Sequence, residues 1–343
     1  MRVLVATDAW HPQINGVVRS LEHMAAEAPA FGAQLSFLTP EGFRTVPLPT
    51  YPEIRLALIG RRAAARAIRD FDPDHIHIAT EGPIGFAARA ACLREGRAFT
   101  TAYHTRYPEY VAKRVPIPES WPYWVVRRFH APAAAVLVAT PSLERELAER
   151  GFRRLVRWSR GVDTELFRPR TEGLLDLPRP IFLFVGRVAV EKNVEAFLRL
   201  DLPGTKVVVG DGPARPALEA AHPDARFLGV LEGEALARAY ASADVFVFPS
   251  LTDTFGMVLL EALAAGTPVA GFPVTGPMDV LGESGCGVLD ADLGRAAHAA
   301  LDVPRERCRA YALGFGWHES ARQFFAHVAS ADGRPSGRAP VYA

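Results

Sequence analysis

The sequence predicts an α/β protein with two doubly wound, Rossmann-like domains. Its 343 residues exceed one ordinary hydrophobic core and are enough for two. Short apolar runs of strand length alternate with helical segments, which is the pattern of a parallel sheet with helices on both faces. The series lapses once, between Gly161 and Pro180, and then starts again. Each half of the chain is therefore predicted to form its own sheet.

The first half carries the first series of elements. Strands are predicted at residues 3–6, 35–38, 75–79, 99–103 and 136–139, and helices at 17–28, 84–94 and 143–150. Together they predict a first domain over residues 1–165.

The second half repeats the pattern, with predicted strands at residues 181–185, 206–209, 226–228, 245–248 and 268–270. These strands predict a second domain over residues 166–315. Residues 316–330 are expected to form a helix that packs across the domain junction, and residues 331–343 a flexible tail. Ligands of open α/β sheets bind at the carboxyl ends of the strands, so the groove between the domains is the expected binding site.

Composition narrows the class of protein. A net charge of +1 gives no general polyanion-binding surface, so no nucleic-acid partner is expected. The cysteines Cys92, Cys286 and Cys308 are too widely spaced for a disulfide framework or a metal motif, which fits a reducing cytoplasm. The chain opens with a strand pattern rather than a signal peptide, and no apolar run approaches spanning length. We expect a cytoplasmic protein, at most peripheral on the inner face of the plasma membrane.

The rest of the chain is organised around residues 244–269, a strand, a turn and a helix. Asp253, Thr254 and the amides of Phe255 and Gly256 fall at the turn, where helix N–H groups suit a phosphate. Glu261 follows two helical turns after Asp253, so both carboxylates can lie along one side of the helix. The two carboxylates would lie on either side of the phosphate-binding amides, which fits a ligand with hydroxyl groups on both sides of a diphosphate. The alternative is an acidic residue favoured by the helix dipole and a solvated glutamate.

Two cations follow the first strand of the second half. Arg187 and Lys192 stand between that strand and the next helix, which is a suitable place for a diphosphate. The chain otherwise prefers arginine, with Lys113 and Lys206 as its other lysines, and a phosphate can require the compact ammonium charge. Solvated loop charges are the alternative interpretation. Gly210 bounds a turn after the next strand, where an ordinary turn fits equally well.

The first half offers two candidates of its own. Gly16 lies at the mouth of the first strand–loop–helix unit and lets a ligand approach the backbone closely. His104 ends a strand that points to the expected groove, where it can orient a sugar hydroxyl or share a developing charge. The alternative is a structural histidine whose ring nitrogens are hydrogen-bonded within the protein.

In combination these motifs resemble the family-4 retaining glycosyltransferases, which have the GT-B fold of two Rossmann-like domains. The resemblance covers nearly the whole chain in the right order. It rests on Asn15-Gly16, His104, Gly186-Arg187 with Glu191-Lys192, Gly210-Asp-Gly-Pro213, and Asp253 with Glu261. The opening segment and the residues around His104 look like the bacterial branch that contains α-mannosyltransferases and diacylglycerol glycosyltransferases. One departure is Asp253, where the family commonly has glutamate, so the sugar is less defined than the reaction.

The resemblance implies a role for each candidate. Arg187 and Lys192 would hold the donor diphosphate, helped by Thr254 and the Phe255, Gly256 and Met257 amides. Glu261 would bind the ribose, and Asp253 the donor sugar. Gly16 would let the N-terminal loop close over the phosphates, and Gly210 would belong to the nucleotide site. His104 would hold the sugar near its C6 hydroxyl, and the base would lie against Leu228-Gly229. Because the base would be contacted largely by backbone atoms, the sequence does not distinguish a UDP-linked from a GDP-linked donor.

The implied reaction uses no metal and no cofactor besides the nucleotide sugar, because fixed cations stabilise the leaving phosphate. The triplets Asp72-Pro-Asp74 and Asp290-Ala-Asp292 match the Asp-x-Asp motif of metal-dependent transferases. The first opens a strand and the second follows an apolar run, so neither is assigned to chemistry.

The acceptor is indicated by the stretch from Lys113 to Phe129, which mixes Trp121 and Trp124 with arginines. Such a mixture suits anionic lipid headgroups, and a lipid acceptor such as diacylglycerol or a phosphoinositide-type lipid is the main prediction. Core tryptophans with solvated arginines are the alternative. A soluble saccharide acceptor and a sugar-nucleotide 2-epimerase also remain open. A dinucleotide oxidoreductase is disfavoured because the first loop lacks Gly-x-Gly-x-x-Gly, and the intact charged positions disfavour a non-catalytic binding module.

Overall fold

A computed structural model describes residues 1–13, 16–48, 51–104, 107–108, 118, 120–172, 175–251 and 255–331. The chain divides into two compact units. Unit 1 comprises Met1–Ser159 and the described residues from Trp317 onward, and unit 2 comprises Arg160–Gly316. The sequence placed these boundaries after residues 165 and 315.

Strands and helices alternate through both units. The strands are β1 (Arg2–Ala6), β2 (Gln34–Leu38), β3 (Thr45–Leu48), β4 (Tyr51–Ala57), β5 (His75–Ile78), β6 (Thr100–Tyr103), β7 (Ala135–Val138), β8 (Leu155–Arg157), β9 (Ile181–Val185), β10 (Thr205–Val209), β11 (Arg226–Gly229), β12 (Val245–Phe248), β13 (Val269–Gly271) and β14 (Gly287–Leu289). The α-helices are α1 (Gly16–Glu27), α2 (Arg61–Phe71), α3 (Pro83–Glu95), α4 (Ser120–His130), α5 (Pro141–Glu149), α6 (Val194–Leu198), α7 (Arg215–Ala221), α8 (Gly233–Ser242), α9 (Met257–Ala264), α10 (Thr275–Leu281), α11 (Leu293–Ala300), α12 (Arg305–Ala312) and α13 (Trp317–Ser330).

Each unit is built on one six-stranded sheet. The strand order is β2-β1-β5-β6-β7-β8 in unit 1 and β11-β10-β9-β12-β13-β14 in unit 2. Every neighbouring pair in these two sheets is parallel, whereas β3 and β4 form a separate antiparallel pair. The prediction of two Rossmann-like sheets is confirmed. The strand order reverses between β9 and β12 in unit 2, and such a switch point is where ligands of this fold bind.

The central strands are the ones that the sequence predicts best. All residues of β9 and β12 are buried, because helices cover both faces of a parallel sheet, and a continuous apolar run results. The strands absent from the sequence prediction are β3, β4, β8 and β14. The edge strands β8 and β14 have three residues each and are only partly buried, so they leave little apolar signal.

The C-terminal helix α13 packs within unit 1. The Trp317 ring stacks on His23 of α1 at 4.1 Å, and Phe324 meets His77 of β5 at 5.0 Å. The indole Nε1 of Trp158 donates to the carbonyl oxygen of Ser320 at 3.2 Å. The chain therefore returns to its first unit after it has completed the second. Among the described residues, none of the helices combines the length and apolar character needed to cross a bilayer.

We predict that Gly210→Ala lowers the free energy of unfolding by about 3 kcal/mol. Gly210 has φ +130, and a Cβ there would overlap the carbonyl oxygen of Gly186. The matched control is Gly233→Ala in the same unit, at φ +51 with open space around it, where strain alone should cost about 1 kcal/mol. Urea denaturation of both variants measures the difference. Equal losses would show that the backbone at Gly210 relaxes.

Candidate functional site

Backbone hydrogen bonds bring three predicted loops together at the carboxyl edge of unit 2. Gly186 N donates to Val209 O at 3.0 Å, and Val188 N donates to Asp211 O at 2.9 Å. Gly210 N donates to Gly229 O at 2.7 Å. The loops after β9, β10 and β11 therefore lie side by side. The predicted residues Arg187, Gly210, Leu228 and Gly229 belong to this one edge.

The loop that carries Lys192 is joined to the exit of β12. Val190–Lys192 form a 3-10 turn that ends at Asn193, whose φ of 53° is left-handed. The side-chain Nδ2 of Asn193 donates to Pro249 O at 3.1 Å. Arg187 is exposed and Lys192 is partly buried. Both cations thus lie beside the switch point between β9 and β12.

Helix α9 follows β12, the strand that neighbours β9, so it begins at the same edge of the sheet as the loop that carries those cations. It begins at Met257, with Phe255 buried just before it and Gly256 left-handed at φ +80. Its first turn holds no acidic residue, and its N-cap residue, Gly256, has no side chain that could act as a cap. The first N–H groups of a helix have no partner within the helix, and with the dipole they attract an anion. Asp253 and Thr254, which precede this turn, lie outside the described residues.

Glu261 is buried rather than solvated. Only 6% of the residue is exposed, and its Oε2 accepts a hydrogen bond of 2.8 Å from the hydroxyl of Tyr240. A buried carboxylate is costly unless it is hydrogen-bonded, and Tyr240 meets that need while fixing the carboxylate orientation. The solvated glutamate considered as an alternative is therefore excluded. Binding of a ribose by Glu261 stays a prediction.

The unit 1 candidates occupy the corresponding edge of the other sheet. Gly16 is exposed at the first residue of α1, after the loop that follows β1. His104 directly follows β6, is partly buried, and packs edge-on against the Trp158 ring at 5.8 Å. Asn15 lies outside the described residues.

A buried polar cluster at this edge was not among the predicted site residues. Asp8 accepts hydrogen bonds from the Thr80 hydroxyl at 2.8 Å and from Ile84 N at 2.8 Å, at the start of α3. Burial raises the pKa of the Asp8 carboxyl despite these hydrogen bonds. Glu81 Oε1 lies 3.0 Å from His130 Nε2. Asp8 and Glu81 both follow strands, so the same strand-end signal that selected His104 could have found them.

Residues of both Asp-x-Asp triplets are held by contacts within the protein. Asp290 pairs with the Arg295 guanidinium at 2.6 and 2.7 Å, which lowers the pKa of Asp290 to about 2. Asp292 caps α11 by accepting from Arg295 N at 3.0 Å. Asp74 accepts from Arg2 N at 2.7 Å. Within the described part of the chain, no group of three or more His, Cys, Asp or Glu residues could hold a metal ion.

The two units together match a class of known folds. The crystal structure of HepE from Anabaena in complex with UDP and glucose superimposes with a TM-score of 0.72 at 14% identity, covering 96% of this chain and all of that one. Two parallel-sheet Rossmann-like units of this kind are the architecture of the GT-B fold.

Sequence comparison gives the family. Family models described as Glycosyltransferase Family 4 and Glycosyl transferases group 1 match residues 14–166 and 179–303. A GDP-mannose-dependent alpha-mannosyltransferase from Mycobacterium tuberculosis is 31% identical over 99% of both chains. An alpha-monoglucosyldiacylglycerol synthase from Streptococcus pneumoniae is 26% identical over 78% of this chain and 70% of its own. The chain belongs to glycosyltransferase family 4 and is a hexosyltransferase that uses a nucleotide sugar.

We predict that Tyr240→Phe lowers the free energy of unfolding by about 2 kcal/mol, because it leaves the buried Glu261 carboxylate without this donor. Tyr311→Phe is the matched control, since the Tyr311 hydroxyl donates to the neutral Val280 carbonyl oxygen at 2.8 Å. That loss should cost about 1 kcal/mol. Chemical denaturation compares the two, and a control that costs as much as Tyr240→Phe would contradict the orienting role.

Proposed function

We propose that the protein is a retaining, metal-independent mannosyltransferase that transfers mannose from GDP-mannose to a membrane lipid. The observation that supports the donor site is that the loop with Arg187 and Lys192 follows β9, that α9 follows β12, and that these two strands flank the switch point of the unit 2 sheet. Relatives named for GDP-mannose, at 31% and 33% identity over most of this chain, support the choice of donor.

The proposed chemistry depends on charge that develops at the leaving phosphate. The bond between the anomeric carbon and the β-phosphate oxygen breaks, and its electron pair stays on the phosphate. Arg187, Lys192 and the amides of Phe255, Gly256 and Met257 stabilise that charge, an effect worth several kcal/mol in a site of fixed donors. The acceptor hydroxyl bonds to the anomeric carbon on the face that the phosphate leaves. Its proton passes to a phosphate oxygen, so neither a protein base nor a metal takes part.

The remaining roles follow from the family resemblance. Glu261, already oriented by Tyr240, binds the ribose hydroxyls. Asp253 and Thr254 contact the donor sugar and its phosphate, His104 holds the C6 hydroxyl, and Gly16 lets the N-terminal loop approach the phosphates. Gly210 and Leu228-Gly229 form the floor for the nucleoside.

We expect Lys192→Ala to lower kcat by about 100-fold or more, because it removes one cation from the leaving phosphate. The free energy of unfolding should change by less than about 0.5 kcal/mol. Release of GDP from GDP-mannose in the presence of diacylglycerol vesicles measures turnover. Arg199→Ala, which removes an exposed cation directly after α6, should leave turnover unchanged. Matching losses of turnover and stability in Lys192→Ala would make Lys192 a structural residue, and an epimerised donor without transfer would indicate a 2-epimerase.

The proposed lipid acceptor is supported by the surface of α4. Trp121 and Trp124 are 68% and 55% exposed, whereas Tyr123 and Phe129 on the opposite side of the helix are buried. The tryptophans are therefore not core residues, contrary to the alternative raised from sequence. Of the stretch from Lys113 to Phe129, residues 113–117 and 119 lie outside the described residues.

Helix α3 packs beside α4 and exposes apolar side chains of its own. Phe86 is exposed and its ring meets Phe129 of α4 at 4.9 Å, while Leu93 is exposed further along α3. Arg127 and Arg128 are exposed on α4, and the Arg128 guanidinium lies 5.8 Å from the Trp124 ring. Exposed tryptophans beside an arginine suit the interface of an anionic bilayer. A relative named for a diacylglycerol product supports the same class of acceptor.

We predict that the protein co-sediments with phosphatidylglycerol vesicles and that added salt weakens the binding. Replacing both Trp121 and Trp124 with serine should lower the affinity about tenfold or more, because their apolar area no longer enters the interface. Leu313→Ser, which removes an exposed apolar side chain from unit 2, is the control and should bind normally. Absence of vesicle binding, together with transfer to a soluble saccharide, would favour the soluble acceptor.

A further inference from the structure

A charged side chain lies over the backbone against which the donor base is proposed to sit. It belongs to Arg215, the first residue of α7, whose Nη1 is 3.3 Å from the position that a Cβ on Gly229 would occupy. Gly229 itself has φ +73 and accepts the hydrogen bond from Gly210 N. The guanidinium therefore borders the loop that is expected to hold the nucleoside, within the same unit.

Two carboxylates hold Arg215 in place. Its Nε donates to Glu219 Oε2 at 3.1 Å, and its Nη1 donates to Asp211 Oδ2 at 3.4 Å. Asp211 is in turn fixed by the hydrogen bond that its Oδ1 accepts from Gly212 N at 2.7 Å. Among the hydrogen bonds between described residues, none uses Nη2 of Arg215, and 23% of the side chain is exposed. Asp211 accepts only one of the two Nη1 hydrogens, so the guanidinium is oriented while one hydrogen on Nη1 and both on Nη2 remain available to a ligand.

We propose that Arg215 contacts the base of the donor nucleotide and selects guanine over uracil. Guanine presents two adjacent acceptors, O6 and N7, which match the parallel N–H groups of a guanidinium. Uracil presents O4 next to a C–H group, so it can accept only one of the two hydrogen bonds. The inference rests on the proposed function and deepens it, because it adds a side chain that distinguishes GDP from UDP to a base site otherwise formed by backbone.

The alternative is that Arg215 only clamps the surface of unit 2 through its two carboxylates. Arg199, directly after α6, provides a comparison, since it forms the same kind of pair with Glu195 four residues away and its side chain is 72% exposed. Arg199 does not border Gly229. A purely structural clamp would affect every nucleotide equally, whereas a base contact would affect only nucleotides that offer the matching acceptors.

Titration calorimetry with GDP, 7-deaza-GDP and UDP tests the proposal, because 7-deaza-GDP lacks the N7 acceptor and keeps the rest of the ligand. The parent protein should bind GDP about tenfold more tightly than either of the others, the effect of one good paired contact. Arg215→Ala should bind all three with equal affinity, close to that of the parent for 7-deaza-GDP. Arg199→Ala should keep the tenfold preference.

Arg215→Lys keeps a positive charge between Asp211 and Glu219 and guards against a folding defect. It should also lose the preference, since an ammonium cannot present the paired N–H groups. Equal weakening of all three ligands in both variants, or a parent protein that binds UDP as tightly as GDP, would overturn the inference and leave the glycosyltransferase assignment standing. Failure of the parent to bind any of the three nucleotides would overturn the proposed donor site as well.

Discussion

The site in unit 2 depends on the backbone hydrogen bonds that join the loops after β9, β10 and β11. The parallel register brings the carboxyl ends of these strands level, and the bonds Gly186 N to Val209 O and Gly210 N to Gly229 O continue the pairing into the loops. A side chain at Gly210 would separate two of these loops. Gly229, at the end of β11, and Arg215, at the start of α7, are neighbours at this edge, where the pairing extends beyond the strands into the loop that carries Arg187.

Electrostatics explains why the switch point suits a diphosphate. Arg187 and Lys192 follow β9, and the start of α9 follows β12, so two cations and the positive end of a helix dipole belong to neighbouring strand ends. The first turn of α9 holds no acidic residue that would oppose their charge. The one carboxylate on α9 within the described residues, Glu261, is buried and fixed by Tyr240 one turn further along. Preorganised groups of this kind need little rearrangement when charge develops on a leaving phosphate.

Unit 1 differs in the chemistry at its strand ends. Asp8 and Glu81 are buried there and paired with Thr80, the α3 backbone and His130, so the edge is polar but contains no cluster of cations comparable to that of unit 2 among the described residues. The outer faces of α3 and α4 instead expose Phe86, Trp121 and Trp124 beside arginines. Separate surfaces thus serve the two substrates proposed for the enzyme, a charged nucleotide and a lipid.

The two sheets, their central strands and the family could be predicted from the sequence, because buried parallel strands are continuous apolar runs and the charged motifs follow them at fixed spacing. The edge strands β8 and β14 and the return of α13 to unit 1 were decided by tertiary structure, since short edges carry little pattern and packing partners distant in sequence leave none. The same holds at the site. Glu261 was selected from its helical spacing, but its burial against Tyr240 and the position of Arg215 over Gly229 depend on contacts between different elements, which no local pattern encodes.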